Sequence, residues 1–384
     1  MRLSLYCLAA AAGLCAFGQK LTSQEMTNPS TGAGTQPNWS VTPDGGVILS
    51  WVETAKDGTY SLKYAVRKGT QWSEARTVAA KRKFFRHPAE TPEVMMLGDR
   101  QWMAHWVEQP DSSSEAEFIY VSSSTDGIHW NMPLMAHKDS KMVQHGLVSM
   151  ILSGPNEVSL FWLHTPDGED GPGYLKRTVV DLAGKELKEE TLDYDVCSCC
   201  PTSVTKTAKG LLVAYRDRTP QDIRDISVVR LEGGKWSQPK NVHVDGWKLD
   251  ACPINSASVA AKGNHAAVAW FTGAGDSPKE EIAFSEDGGV TWGKAATIST
   301  ARAFGNTSLA LDDDGGAIVS WLQQTPSGDT AVMVRKISAA GVQGPAAQVA
   351  SGGRQAVGYP RVVHSAAGTF IAWGGSKVST AQIQ

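Results

Sequence analysis

Charge of one sign is scarce in this 384-residue chain: 36 Lys and Arg stand against 39 Asp and Glu, a net of −3. Nucleic acid and anionic membrane surfaces both demand a basic footprint, so neither is the expected partner. Beyond the first twenty residues no apolar run approaches membrane length, so no membrane insertion is expected once a leader is removed. A sustained helical period is missing throughout. Cysteine is sparse, six in all with two near the N-terminus. What is present is apolar and aromatic: 41% hydrophobic residues, with 13 Trp among them, exclude a disordered chain because they can build a large core.

Met1-Arg2 precedes an apolar stretch that ends in the small-x-small run Ala16-Phe17-Gly18. One basic residue, a short apolar segment and such an ending predict a signal peptide over 1–18 and a secreted or periplasmic protein. The bulky Leu14 before Cys15 disfavours a lipoprotein site.

Length alone suggests two or three domains, but self-similarity overrides it. Short apolar strands end in an aromatic at Trp51, Trp106, Trp162, Tyr215, Trp270, Trp321 and Trp373, spaced 51 to 56 residues apart. Each is preceded by a strand opening at Gln36-Pro37, His87-Pro88, His145-Gly146, Cys200-Pro201, Cys252-Pro253, Gly305-Asn306 and Tyr359-Pro360. Polar loops and Gly-rich turns follow. Short strands and turns at this period predict an all-β propeller of four-stranded blades, seven by count and six as the alternative, forming one domain over 19–384. The last copy lacks an outer strand, which residues 20–30 are expected to supply, closing the ring and removing a sheet edge. The repeated Trp residues are expected to pack between blades.

In an up-and-down blade the start of strand one and the end of strand two lie on one face, so these positions should ring one mouth of the central channel. They carry His87, His145, Cys200, Cys252, Asn306 and Arg361. The strand-two exits add Glu53, Glu108, His164 and Arg216-Asp217-Arg218, followed by Asp222, Arg224 and Asp225. Charged and reactive side chains gathered at one mouth suggest a binding site. The remaining histidines have no matched position there and read as surface or packing residues.

Without the leader four cysteines remain: Cys197, Cys199, Cys200 and Cys252. In an exported protein an even number predicts disulfides, and a bridge from the 197–200 segment to Cys252 would contribute ~4 kcal/mol in the chain-entropy model. The alternatives are a copper or zinc site built from these thiolates with His87 or His145, and a labile redox disulfide.

Ser285 to Trp292 reads S-x-D-x-G-x-T-W, the Asp-box, and Ser124 to Trp130 is a shorter relative; Gly69 to Trp72 and Gly234 to Trp236 are eroded copies. By these turns and the repeat the chain resembles the sialidase superfamily of propellers, whose usual blade count is six. It is also similar to exported bacterial sialidase-like proteins with a C-x-C-C-P segment (Cys197 to Pro201), YRDR (Tyr215 to Arg218), RDI (Arg224 to Ile226), DGW (Asp245 to Trp247) and CP (Cys252-Pro253). The resemblance implies cleavage of an acidic sugar held by three arginines, drawn from Arg86, Arg216 or Arg218, and Arg361, with Arg224 nearby. It implies a tyrosine nucleophile (Tyr359 or Tyr215), a glutamate assisting it (Glu53 or Glu108), an aspartate acid/base (Asp217 or Asp225), and no cofactor. Guanidinium groups bind carboxylate bidentately, and a neutral Tyr avoids repelling an anionic substrate. The leading expectation is therefore a monomeric sialidase-like enzyme acting on an acidic carbohydrate or glycoconjugate. Its rivals are a noncatalytic glycan- or protein-binding propeller and a metal- or redox-dependent protein. A further alternative is that the YRDR and RDI charges neutralise one another in a loop-tying network.

Overall fold

The computed structural model describes residues 20–384 except 111–115, 169 and 170; the expected leader lies outside them. Seven antiparallel sheets follow one another along the chain, each stepping outward from an innermost strand. The innermost strands are Ala33–Val41, Glu93–Gly98, His145–Gly154, Ser203–Thr207, Ala257–Lys262, Ala303–Leu311 and Arg361–Ser365, taken below as blades 1 to 7. The seven-blade count is therefore correct. Blade 7 is completed by Ser23–Glu25, which pairs antiparallel with Ser379–Ile383 in the register Ser23 with Ile383. The two ends of the chain thus share a sheet, as the missing outer strand predicted. Among the described residues no helix is long and apolar enough to cross a membrane.

The second strands alternate inward and outward with a period of two, which puts their aromatics between blades. Trp51, Trp106, Trp162, Tyr215, Trp270 and Trp321 are each at most 1% exposed. The core is accordingly divided among the interfaces. Trp162 of blade 3, for example, packs with Met103 and Val107 of blade 2, and Trp321 of blade 6 packs with Ala267 and Ala269 of blade 5. Each buried indole removes enough apolar surface for roughly 4 kcal/mol of transfer free energy. The indole N–H needs a partner there, and the residue two positions on, which shares its strand face, often provides it. Trp51 donates to Glu53, Trp106 to Glu108 and Trp321 to Gln323.

Where the chain enters the inner strands it departs from regular β structure. Gln36, Leu147, Ile254 and Asn306 all have φ between 49° and 58°, and the ladders of blades 1, 3 and 6 shift register there. Such bulges bend a strand and re-aim its side chains at the rim. Here they also let neighbouring blades hold one another. The Gln36 amide donates to the Phe85 and Glu90 carbonyls, Glu90 accepts from the Leu147 amide, and Asn255 Oδ1 accepts from the Asn306 amide at 2.7 Å. The Ser-x-Asp turns lie between strands three and four. In one, Asp287 Oδ1 accepts from the amides of Val290 and Thr291. In the other, Asp126 Oδ1 accepts from those of Ile128 and His129.

Candidate functional site

The segment Asp193 to Thr202 leaves the outer strand of blade 3 and crosses to blade 4, turning twice within a few residues. That turn gathers three sulfurs: Cys197 Sγ lies 3.6 Å from Cys199 Sγ and 3.5 Å from Cys200 Sγ, and Cys199 lies 4.0 Å from Cys200. None of the four described cysteines is joined in a disulfide, so the expected staple between blades 4 and 5 is absent from this structure. Cys252 reaches Cys199 from blade 5 by a hydrogen bond. The thiols of Cys199 and Cys200, with Arg216 and Arg224 behind them, hold Cys197 well below the usual thiol range, while burial pushes Cys200 up.

The charged residues of the YRDR, RDI and DGW segments build the wall behind this turn. Arg216 is 1% exposed and donates from Nε, Nη1 and Nη2 to the carbonyls of Asn255, Arg224 and Phe271 at 2.6 to 2.9 Å. Its guanidinium lies 4.8 Å over the Trp247 ring. Asp225 accepts from the Gly246 and Trp247 amides, each at 3.1 Å. Arg224 donates to the Leu249 carbonyl and Asp222, and Arg218 also pairs with Asp222. Asp217 accepts from the Ser227 hydroxyl and the Arg218 amide, and burial pushes its carboxyl up to about 6. The cluster is tied chiefly to backbone, more than to itself, because a buried guanidinium satisfies its N–H groups best on carbonyl oxygens.

Phe85, His87, Glu117, Gln144, Cys199 and Cys252 line a pocket of about 250 Å³ in front of the thiols. Residues from the loops entering blades 2, 3, 4 and 5 thus converge. The His87 Nδ1 accepts from the Ala89 amide at 3.3 Å, leaving Nε2 as the N–H donor, and burial lowers its pKa. The Phe85 ring stacks on His87. It also borders a larger open groove of about 690 Å³ with Tyr60, Lys83 and Arg86. There the exposed Arg86 lies 4.6 Å over the Tyr60 ring and donates to its hydroxyl at 3.3 Å.

Other expected site residues are placed elsewhere. His145 does not join the sulfurs: its Nδ1 is tied to the carbonyls of Glu117 and Val143, which turns Nε2 toward Asp139. Glu53 and Glu108 serve the buried indoles and pair with Lys63 and Arg82. Tyr215 is fully buried and donates to Asp193 at 2.6 Å. Tyr359 is half-buried, its pKa raised by burial and partly offset by the charges of Arg354 and Arg361. Arg361 faces the central channel beside Glu93 and donates to Thr91. Arg86, Arg216 and Arg361 therefore occupy three separate environments, groove, wall and channel. Phe85, Glu117 and Gln144 escaped sequence reading because they stand outside the repeat positions. The only advance signal was Phe85 beside His87.

No family model matches the chain, and no curated protein sequence matches it. Solved structures do. A protein of unknown function from Dyadobacter fermentans is similar over 95% of this chain and 99% of its own, at 14% identity and a TM-score of 0.52. A polysaccharide lyase, the PL25 ulvan lyase bound to -[GlcA(1-4)Rha3S]-, is similar over 95% of this chain and 94% of its own, at 10% identity and a TM-score of 0.55. A sialidase from Streptococcus pneumoniae reaches a TM-score of 0.45 at 10% identity, covering 93% of this chain and 69% of its own. At these identities the first two share a fold with this chain.

Proposed function

We propose that this is an exported, carbohydrate-active propeller that takes an acidic glycan at its mouth. The observation that carries the reading is the groove of Tyr60, Lys83 and Arg86, which shares Phe85 with the pocket of His87, Glu117 and the thiols. An exposed guanidinium and ammonium suit a carboxylate or sulfate. The neighbouring rings offer flat apolar faces to a pyranose, and the adjoining pocket supplies an N–H donor and a carboxyl group to the next sugar. The ulvan lyase, of the same fold, holds a glucuronate-containing glycan. Sialic acid is the finer choice, as an acidic sugar that fits the same charges.

Binding of a panel of sialosides and uronic-acid polysaccharides, measured by calorimetry, tests this. A Lys83→Ala/Arg86→Ala variant should bind at least about tenfold more weakly. Assaying products for reducing ends and for unsaturated uronate separates hydrolysis from elimination. Failure of every acidic glycan to bind, or equal binding by the variant, overturns the reading.

A second reading rests on the sulfurs. A metal bound about 2.3 Å from tetrahedral thiolates sets them about 3.8 Å apart, and the three here are 3.5 to 4.0 Å apart. A copper or zinc ion at Cys197, Cys199 and Cys200 would face the pocket, with Cys252 beside it. Metal analysis of the native protein and of Cys199→Ser tests this: absence of bound metal from both, with all four thiols reduced, removes it.

A further inference from the structure

We propose that Asp139, His145 and His164 form a second site, separate from the sulfurs, that binds one divalent first-row transition-metal ion. The ring of His145 is fully buried and that of His164 nearly so. His145 Nδ1 donates to the carbonyls of Glu117 and Val143, each at 3.0 Å, and His164 Nδ1 donates to the Gln144 carbonyl at 3.3 Å. Because a carbonyl can only accept, the proton of each ring is fixed on Nδ1 and each Nε2 is left with a lone pair. Those two nitrogens face the same carboxylate oxygen: Asp139 Oδ2 lies 3.7 Å from His145 Nε2 and 3.4 Å from His164 Nε2. Both separations exceed an ordinary hydrogen bond, so the buried His145 Nε2 has no partner at hydrogen-bond distance.

Three acceptors facing one another repel unless a cation stands between them. The His137 ring stacks 4.0 Å from His145 and the rings of His145 and His164 are 4.7 Å apart. A charge on one imidazole therefore opposes a charge on the next. The carboxylate is held for the purpose as well. Asp139 Oδ1 accepts from the Lys141 amide at 2.9 Å and the Asp139 carbonyl accepts from His137 Nδ1 at 2.6 Å, which leaves Oδ2 for the histidines.

Two imidazoles and a carboxylate, all within 4.8 Å of one another, are the donor set of zinc, iron(II) or manganese rather than of a thiophilic ion. Three protein ligands leave coordination positions for water or a substrate oxygen. The partly exposed Asp139 marks the solvent side. Of the three carbonyls that orient the two rings, those of Glu117 and Gln144 belong to residues that line the mouth pocket, and the third is that of Val143. An ion here would brace that pocket from behind.

The test uses cobalt(II) and zinc(II) added to chelator-stripped protein. Wild type should take up one cobalt whose visible bands lack thiolate-to-metal charge transfer. Asp139→Asn and His164→Ala should bind it about 100-fold or more weakly while any thiolate band stays unchanged. Asp139→Asn alters a partly exposed side chain, and its unfolding curve confirms that the fold persists. Lys83→Ala/Arg86→Ala should bind cobalt as wild type does, so the ion and the glycan fail or succeed independently. The proposal is overturned if Asp139→Asn binds cobalt as wild type does. It is equally overturned if wild type takes no nitrogen- and oxygen-ligated ion and NMR finds an imidazolium on His164 paired with Asp139 at neutral pH.

Discussion

A methyl group at Gly305 would sit 1.9 Å from the Asn255 amide oxygen, and the residue has φ +81°. Both the space and the backbone demand glycine at this link between blades 5 and 6. Gly305→Ala should cost roughly 2–3 kcal/mol in urea unfolding. Glu90 supplies a second prediction at this scale. Its carboxyl is 1% exposed, and burial pushes its pKa from 4.5 up to about 8, against the Leu147 and Val148 amides and Arg361, which lower it. The folded state therefore holds a proton that the unfolded chain releases. This contribution is complete below pH 4.5 and is lost as pH rises through about 8. Stability should fall across that window by up to about 1.4 kcal/mol per unit, and Glu90→Gln should flatten the slope in thermal melts taken from pH 5 to 8.

Second strands explain why two glutamates looked catalytic. Glu53 and Glu108 stand at strand exits beside the mouth, yet they share a strand face with Trp51 and Trp106 and accept hydrogen bonds from their indole N–H groups. The period of two in Trp-x-Glu was visible in the sequence, and Trp321-x-Gln323 repeats it with a neutral acceptor. Glu108→Gln should thus cost less than about 1 kcal/mol. It should leave any glycan turnover intact, whereas loss of a general base lowers turnover by about 10²-fold or more. The inner-strand entrances were more legible. Aligning seven strand starts placed His87, Cys200 and Cys252 at one mouth, and in the structure it is Cys199, the residue before Cys200, that joins His87 and Cys252 in the pocket. It also grouped His145 with them, which the structure does not do. The loop over residues 136–144 folds back irregularly to bring Asp139 to His145 and His164, and no periodicity announces such a loop.

On the scale of the whole molecule, the blade count and the shared terminal sheet were legible because the same aromatic position recurs in all seven blades, fully buried in six of them. The groove was legible only in Arg86, since Tyr60 and Lys83 are ordinary surface residues until the blades set them beside it. The terminal sheet yields a further prediction. Ser23–Glu25 pairs along Ser379–Ile383, and Thr22, Met26, Thr380 and Gln384 extend the backbone bonding. Deleting residues 20–27 should lower stability by on the order of 3 kcal/mol and promote self-association through the bared edge, read by unfolding curves and light scattering.

That pairing also fixes an order of events. Ser23 is made long before its partner, Ile383. The ring cannot shut until the strand that holds Ile383 has left the ribosome. Contacts of such sequence separation form slowly. Blades 1 to 6 can stack as they appear, but the last five-residue strand decides when the interfaces on either side of blade 7 become permanent. A chain clipped just before it keeps most of its blades and an open seam, and so remains exposed to proteases that the closed ring excludes.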